Sequence, residues 1–116
     1  MGDVHPDDPV RGRVIDDQGR CIHHGALQDV VCHRFPDEGW VFWACRQCHD
    51  DEVGAPARLW RADEAKELAV QCGVCRSILG IDFYLERQDA GEHSCPHCHT
   101  AWNPGCVTHR DRYFAF

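Results

Sequence analysis

The chain is short of the large aliphatic residues from which a core is usually built. Leu, Ile, Val and Phe make up about 21% of its 116 residues, close to the ~20% that marks disorder in a highly charged chain. With a formal charge of −7, a purely hydrophobic core would be marginal. No apolar run approaches the ~20 residues of a membrane span, so no membrane partner is expected. The opening Met1-Gly2-Asp3-Val4-His5-Pro6 stretch lacks the basic and apolar regions of a secretory signal and is too acidic for a mitochondrial transit peptide. Pro6 breaks the myristoylation pattern. Positive charge is scarce too. Twelve Lys and Arg face nineteen Asp and Glu, and the Arg110–Arg112 cluster is too small to offset that field, so no nucleic-acid partner is expected. Catalytic signatures are missing as well: there is no H-E-x-x-H, no H-x-E paired with P-C-x-x-C, no G-x-S-x-G and no P-loop. The expectation is a protein that is not an enzyme.

What the chain has is cysteine. Six of its nine cysteines form three C-x-x-C knuckles, Cys45–Cys48, Cys72–Cys75 and Cys95–Cys98. Nineteen residues separate the last two, inside the spacing that reads as one tetrahedral zinc site. Cys21 and His23 stand two apart, so an extended segment points both side chains the same way, and they complete a shell with Cys45 and Cys48. Both shells offer four protein ligands and leave no open position for a reacting water, which makes them structural rather than catalytic. Metal also answers the weak core: a structural zinc site supplies apparent free energies on the order of 10–16 kcal/mol at neutral pH. An odd cysteine count with repeated knuckles favours reduced thiolates on zinc over disulfides, and hence the cytoplasm.

Several residues stay open at this level. His49 directly follows Cys48; it either serves another ion or donates a supporting hydrogen bond. Cys32, His33, Cys106 and His109 are unplaced, and with them a third site is possible. His24 should face away from the metal. Gly73 is expected where backbone N–H groups turn toward sulfurs, and Pro96 favours a bend.

Along the chain, residues 1–9 read as a disordered acidic tail and residues 10–116 as one domain. A short strand is expected over Val10–Ile15 and a turn over Asp16–Gly19. The β-prone runs Asp29–Phe35 and Trp40–Cys45 suggest a hairpin that delivers Cys45. Val53–Pro56 reads as a loop. A helical turn is expected over Ala62–Leu68, a strand over Ala69–Cys72 and a second helical turn over Asp82–Arg87. Asn103-Pro-Gly105 breaks the chain before a terminal helix over Cys106–Phe114. The fold class is a small metal-bound domain, irregular α+β, with short β-hairpins, zinc knuckles and a short C-terminal helix.

The ordered motifs C-x-H, C-x-x-C-H-D, C-G-x-C, C-P-x-C and A-W-N-P-G-C-x-x-H, ending in Tyr113-Phe114, resemble the CHY-type zinc fingers, especially their small stand-alone members. The resemblance spans about Val10 to Phe114. It implies a compact, irregular domain with, in general, three metal sites. Where the family carries a Cys-Cys pair and a later histidine, this chain has Asp37-Glu38 and Ala55. With three ligands missing together, one whole site is lost, and two zinc ions are expected: one on Cys21, His23, Cys45 and Cys48, one on Cys72, Cys75, Cys95 and Cys98. The leading function is a set of structural zinc sites supporting a protein-interaction surface. The candidate surface is aromatic: Trp40, Phe42, Trp43, Trp102, Tyr113, Phe114 and Phe116, unless most of these wrap the metals as core. The alternative is a zinc- or thiol-handling, chaperone-like protein; a zinc-dependent nucleic-acid regulator is less favoured.

Overall fold

The computed structural model describes residues 10–116, apart from the side chains of residues 106–109. The tail expected over residues 1–9, and the side chains of Cys106 and His109, lie outside the described residues.

A three-stranded antiparallel sheet occupies the middle of the domain, in the order β1 (Val31–His33), β2 (Leu68–Cys72), β3 (Ile78–Gly80). Its register sets Val31 opposite Cys72 and Val70 opposite Leu79, with an irregularity between Leu68 and Val70. Ala69, Val70, Gln71 and Cys72 are all buried, so β2 is a central strand covered on both faces. The helix α2 (Ile81–Asp89) supplies part of that cover. Its buried residues Ile81, Tyr84, Leu85 and Gln88 fall at the i, i+3, i+4, i+7 spacing of one helical face.

Apolar side chains collect in two clusters. One holds Val31, Ala69, Val70, Leu79, Ile81, Tyr84, Leu85, Trp102 and Phe114, together with Cys72 and Cys95. The other holds Val10, Cys32, Phe35, Phe42, Trp43 and Ala57, together with Cys21, Cys45 and Cys48. Strand β1 feeds both, because successive side chains on a strand point to opposite sides: Val31 enters the first cluster and Cys32 the second. Each cluster thus contains cysteines of one knuckle system.

Several local expectations change in the folded chain. Val10–Ile15 makes isolated bridges, Arg11 to Trp43 and Val14 to Cys21, rather than a strand. The hairpin expected between 29–35 and 40–45 shrinks to one bridge between His33 and Trp43, because β1 pairs with β2. A helix the pattern did not signal, α1 (Arg46–Val53), follows Cys45. It is polar and buries only Cys48 and His49, so it carries no apolar periodicity. Its ends define it: the Cys45 sulfur accepts from the Cys48 N–H, and Gly54 closes it in a left-handed conformation with φ 81°. The helical turn at Ala62–Glu64 is 3-10, and so is the terminal helix, Pro104–Arg112. Among the described residues no helix is long and apolar enough to cross a membrane.

Candidate metal centres

Two groups of side chains converge with their ligand atoms within 4.8 Å of one another: Cys21, His23, Cys45 and Cys48, and Cys72, Cys75, Cys95 and Cys98. They are the two sets that spacing pointed to. All eight cysteines in the described residues are free thiols.

The first group is assembled from a small hairpin and the start of α1. The bridge between Val14 and Cys21, with reciprocal hydrogen bonds between Cys21 and His24, folds the hairpin so that His23 swings toward α1. His23 Nδ1 then lies 3.8 Å from the Cys21 sulfur, 3.5 Å from Cys45 and 3.4 Å from Cys48, while Cys21 and Cys45 are 3.7 Å apart. The other ring nitrogen, Nε2, faces Asp51 at 3.4 Å.

The second group is built from two knuckles of the same form. In each, the residue after the second cysteine returns its N–H to the carbonyl of the first: Arg76 to Cys72 at 2.8 Å, His99 to Cys95 at 3.0 Å. Both of these residues take a left-handed backbone, φ 68° and 63°. One knuckle is the β2–β3 connection; the other is closed by the bridge from Ser94 to Ala101. Across the site, Cys72 and Cys98 are 3.8 Å apart, Cys75 and Cys95 3.6 Å.

These separations match a tetrahedral ion. Ligands about 2.3 Å (sulfur) or 2.0–2.1 Å (nitrogen) from a common centre stand about 3.8 Å apart for a sulfur pair and about 3.6 Å for a nitrogen–sulfur pair. A disulfide needs its sulfurs at about 2.05 Å, far closer than any pair here. The donor set therefore fits a soft divalent cation, with Nδ1 as the His23 donor.

Without a cation, packing these thiols is unfavourable. Burial pushes Cys72 up to about 12, with Cys95 adding like charge. In the first group, the hydrogen bond between Cys21 and Cys45 pulls the Cys21 thiol down to about 4 and drives that of Cys45 up. Partial burial works against the Cys75 thiolate, but hydrogen bonds with Ser77, Cys95 and Cys98 together outweigh it and bring the thiol down to about 7. Charging all four sulfurs together requires a cation between them, and loading must release protons.

Sequence comparison places the chain among known relatives. The chain is 32% identical over 108 residues to the Helper of Tim protein 13 of Saccharomyces cerevisiae, covering 90% of this chain and 89% of that one. It belongs to the Helper of Tim protein 13 family. The Kluyveromyces lactis protein of the same name is also 32% identical, over 106 residues, with 90% and 87% covered. An uncharacterized protein of Schizosaccharomyces pombe is 32% identical over 105 residues, with 90% and 88% covered. No family model matches the chain, and no solved structure matches it.

The remaining singled-out residues fall elsewhere. His49 joins neither group. Its ring is buried, with Nε2 2.7 Å from Glu38 and Nδ1 2.8 Å from Asp50. Cys32 is fully buried beneath Gly19, and burial raises its thiol to about 12, which suits core rather than chemistry. His33 stacks on Tyr113 with ring centroids 3.8 Å apart. The backbone N–H groups of Val74 and Cys75 turn toward the Cys72 sulfur as expected beside Gly73, whose own N–H goes to the Val30 carbonyl. Glycine is also required there because a Cβ would lie 1.8 Å from the Gln18 carbonyl oxygen.

Of the two readings of the aromatic residues, the structure supports the one that makes most of them core. Phe42, Trp43, Trp102 and Phe114 are buried, leaving Trp40 and Phe116 exposed. Two features lay beyond the sequence reading. One is the Glu38 carboxylate beside His49. The other is the set of exposed aliphatic residues on the hairpin, including Ile15, Ile22 and Leu27. Both depend on contacts between segments, which residue spacing does not encode.

Proposed function

We propose that this protein is a zinc-loaded domain of the CHY type that is not an enzyme, with two closed metal centres fixing a surface for another protein. The observation that carries this reading is the pair of four-ligand clusters at tetrahedral separations, each built into its own hydrophobic cluster. Cys21, His23, Cys45 and Cys48 hold one ion; Cys72, Cys75, Cys95 and Cys98 hold the other. Zinc suits both donor sets, three thiolates with an imidazole and four thiolates, because it is redox-inert and adopts tetrahedral geometry without strain. The bound ion supplies positive charge that lets the thiolates pack together. The chain supplies every ligand, leaving no vacancy for a substrate. Glu38 and Asp37, standing where related domains place cysteines, support a count of two. The relatives' name describes a helper of Tim, so a Tim protein is the proposed client, and the cytoplasm, where thiols stay reduced, the proposed location.

A second reading is favoured by one asymmetry. In the first group the three cysteines are buried, whereas Cys75 is exposed and Cys98 half-buried. His23 of the first centre is partly exposed as well, so the asymmetry is one of thiols: only the second centre offers accessible sulfur for exchange, as a zinc- or thiol-handling protein would need. A role on nucleic acid has no comparable support, since the net charge is −7.

Native mass spectrometry of the purified protein, followed by titration with a Tim protein, tests the proposal. Two zincs per chain and saturable binding that fails after chelation are expected. A metal-free chain with paired cysteines would overturn the zinc assignment; chelation-insensitive binding would overturn the claim that metal fixes the surface.

A further inference from the structure

The hairpin that contributes Cys21 and His23 has a second, outward face. Val14 pairs with Cys21, so the neighbouring residues Arg13, Ile15, Arg20 and Ile22 project to the opposite side from Cys21. The hydrogen bonds Ile15 N–H to Arg20 O (2.8 Å) and Ile22 N–H to Arg13 O (3.0 Å) hold that register. Ile15 is 57% exposed, Ile22 58% and Leu27 82%. The three belong to one patch. Ile15 Cδ1 lies over Gly25, and the Arg20 guanidinium bonds the carbonyl oxygens of Ala26 (3.1 Å) and Leu27 (2.7 Å). Arg20 is itself occupied by Asp16 at 2.6 Å.

This display is rigid. Asp29 accepts from the Ala26 N–H and from Asn103, which closes the 26–29 turn. Gly12 packs so closely on α1 that a Cβ there would lie 2.5 Å from Cys48 Cβ. The hairpin is therefore seated on the first metal centre. A preordered patch loses little conformational freedom when it is covered.

Charge selects what covers it. Arg11 and Arg13 are exposed beside the aliphatic residues and form no ion pair among the described residues, while most other cations do. Of the hairpin's acids, Asp16 is paired with Arg20 and Asp17 lies at the turn, so in a chain of charge −7 the two arginines make a positive edge to the apolar patch away from that turn.

We propose that the outer face of the hairpin, Ile15, Ile22 and Leu27 flanked by Arg11 and Arg13, docks an acidic amphipathic helix of a partner protein. The helix sets its apolar stripe on the aliphatic patch and its flanking carboxylates against the two arginines. This deepens the reading of a metal-fixed interaction surface and rests on it.

The test uses the full zinc-loaded chain and two fluorescein-labelled helical peptides of eighteen residues. Both carry a leucine stripe, flanked by Glu in one and by Lys in the other. The Glu peptide is expected to bind at least tenfold more tightly. The variant Ile15→Ser/Ile22→Ser/Leu27→Ser should lose tenfold or more while still carrying two metals, and Arg11→Glu/Arg13→Glu should reverse the preference between peptides. Equal binding of the two peptides, binding of neither, or wild-type binding by the triple variant overturns the proposal. So would a dimer in sedimentation that the triple variant abolishes, which assigns the patch to a second copy. A tenfold gain on deleting residues 1–9 would assign it to the chain's own acidic segment. Mass spectrometry of the same samples separates the two levels: two metals with no preference removes only the docking inference. Docking unchanged in a chain lacking metal removes only the reading beneath it.

Discussion

Glu38 and His49 meet in the second hydrophobic cluster, with a carboxylate oxygen 2.7 Å from the imidazole Nε2. The opposite ring nitrogen meets Asp50 at 2.8 Å, and the ring packs between Phe35 and Trp43. Asp50 also accepts from the Ala57 N–H and from Arg46, so the clasp ties α1 to the loop that follows it. A histidine that sequence could leave as a metal ligand is held instead by two carboxylates. Glu38→Ala should leave a buried nitrogen without its partner and cost about 1–3 kcal/mol of stability. Urea denaturation of the zinc-loaded protein measures this. The metal count should stay at two; loss of an ion would mean that Glu38 takes part in coordination.

The two centres should part with metal in a set order. Cys75 is exposed and Cys98 half-buried, whereas Cys21, Cys45 and Cys48 are buried. A chelator meets the second centre first. Release should be biphasic, and Cys75→Ser should remove the fast phase. If Cys48→Ser removes it instead, exposure does not govern exchange. Complete stripping should unfold the domain, because Cys72 and Cys95 sit inside one apolar cluster and Cys21, Cys45 and Cys48 inside the other. Far-ultraviolet circular dichroism during chelation reports this collapse.

Which parts of this arrangement were legible in the sequence follows from how local each part is. The knuckles could be read because two ligands three residues apart share one turn. The strand Leu68–Cys72 could be read as a short, mostly apolar run leading into a knuckle, and the helix Ile81–Asp89 from residues whose buried face follows the helical period. Helix α1 was not, since it buries only Cys48 and His49 and the rest is mostly charged. The partner of β1 was misassigned for a topological reason: Trp43 is nearby in sequence and makes one bridge, but β2, more than thirty residues away, takes the ladder. The aromatic residues were ambiguous by nature, because a Trp that wraps a metal and one that meets a partner look alike in sequence. Asp37 and Glu38 stood out only where the resemblance places ligands; the fold shows that Glu38 turns inward to His49 while Asp37 pairs with Arg58.

His33 should make stability depend on pH. Its ring is 5% exposed, Nδ1 has no hydrogen-bond partner among the described residues, and burial lowers its pKa from 6.5 to about 3. The unfolded chain takes up a proton near 6.5 and the folded chain does not, so between these values the unfolded state binds more protons. The contribution of His33 is complete above 6.5 and is lost as pH falls toward 3. The urea midpoint of the zinc-loaded protein should therefore drop between pH 7.5 and 6.0. That drop should be smaller in His33→Phe, which keeps the ring and removes the proton, with the metal count checked at both pH values. An equal drop in both proteins would assign the loss to another group.

Gly73 joins the two centres mechanically. It lies in the second knuckle, and a Cβ there would stand 1.8 Å from the oxygen and 2.6 Å from the carbon of the Gln18 carbonyl. Gln18 belongs to the turn of the hairpin whose far strand bears Cys21. The obstruction is backbone on both sides, so no rotamer change relieves it. Gly73→Ala must push the hairpin turn away from the knuckle, at a cost of about 1–3 kcal/mol or more. Gly80→Ala is the control: its backbone is ordinary, and the nearest atom, at 3.3 Å, is a side-chain oxygen of Asp82, which can rotate. It should cost less. If packing couples the centres, Gly73→Ala should speed metal release from both, although its side chain is a ligand to neither. Faster release from the second centre alone would show that the hairpin is held by its own ion and not by this contact.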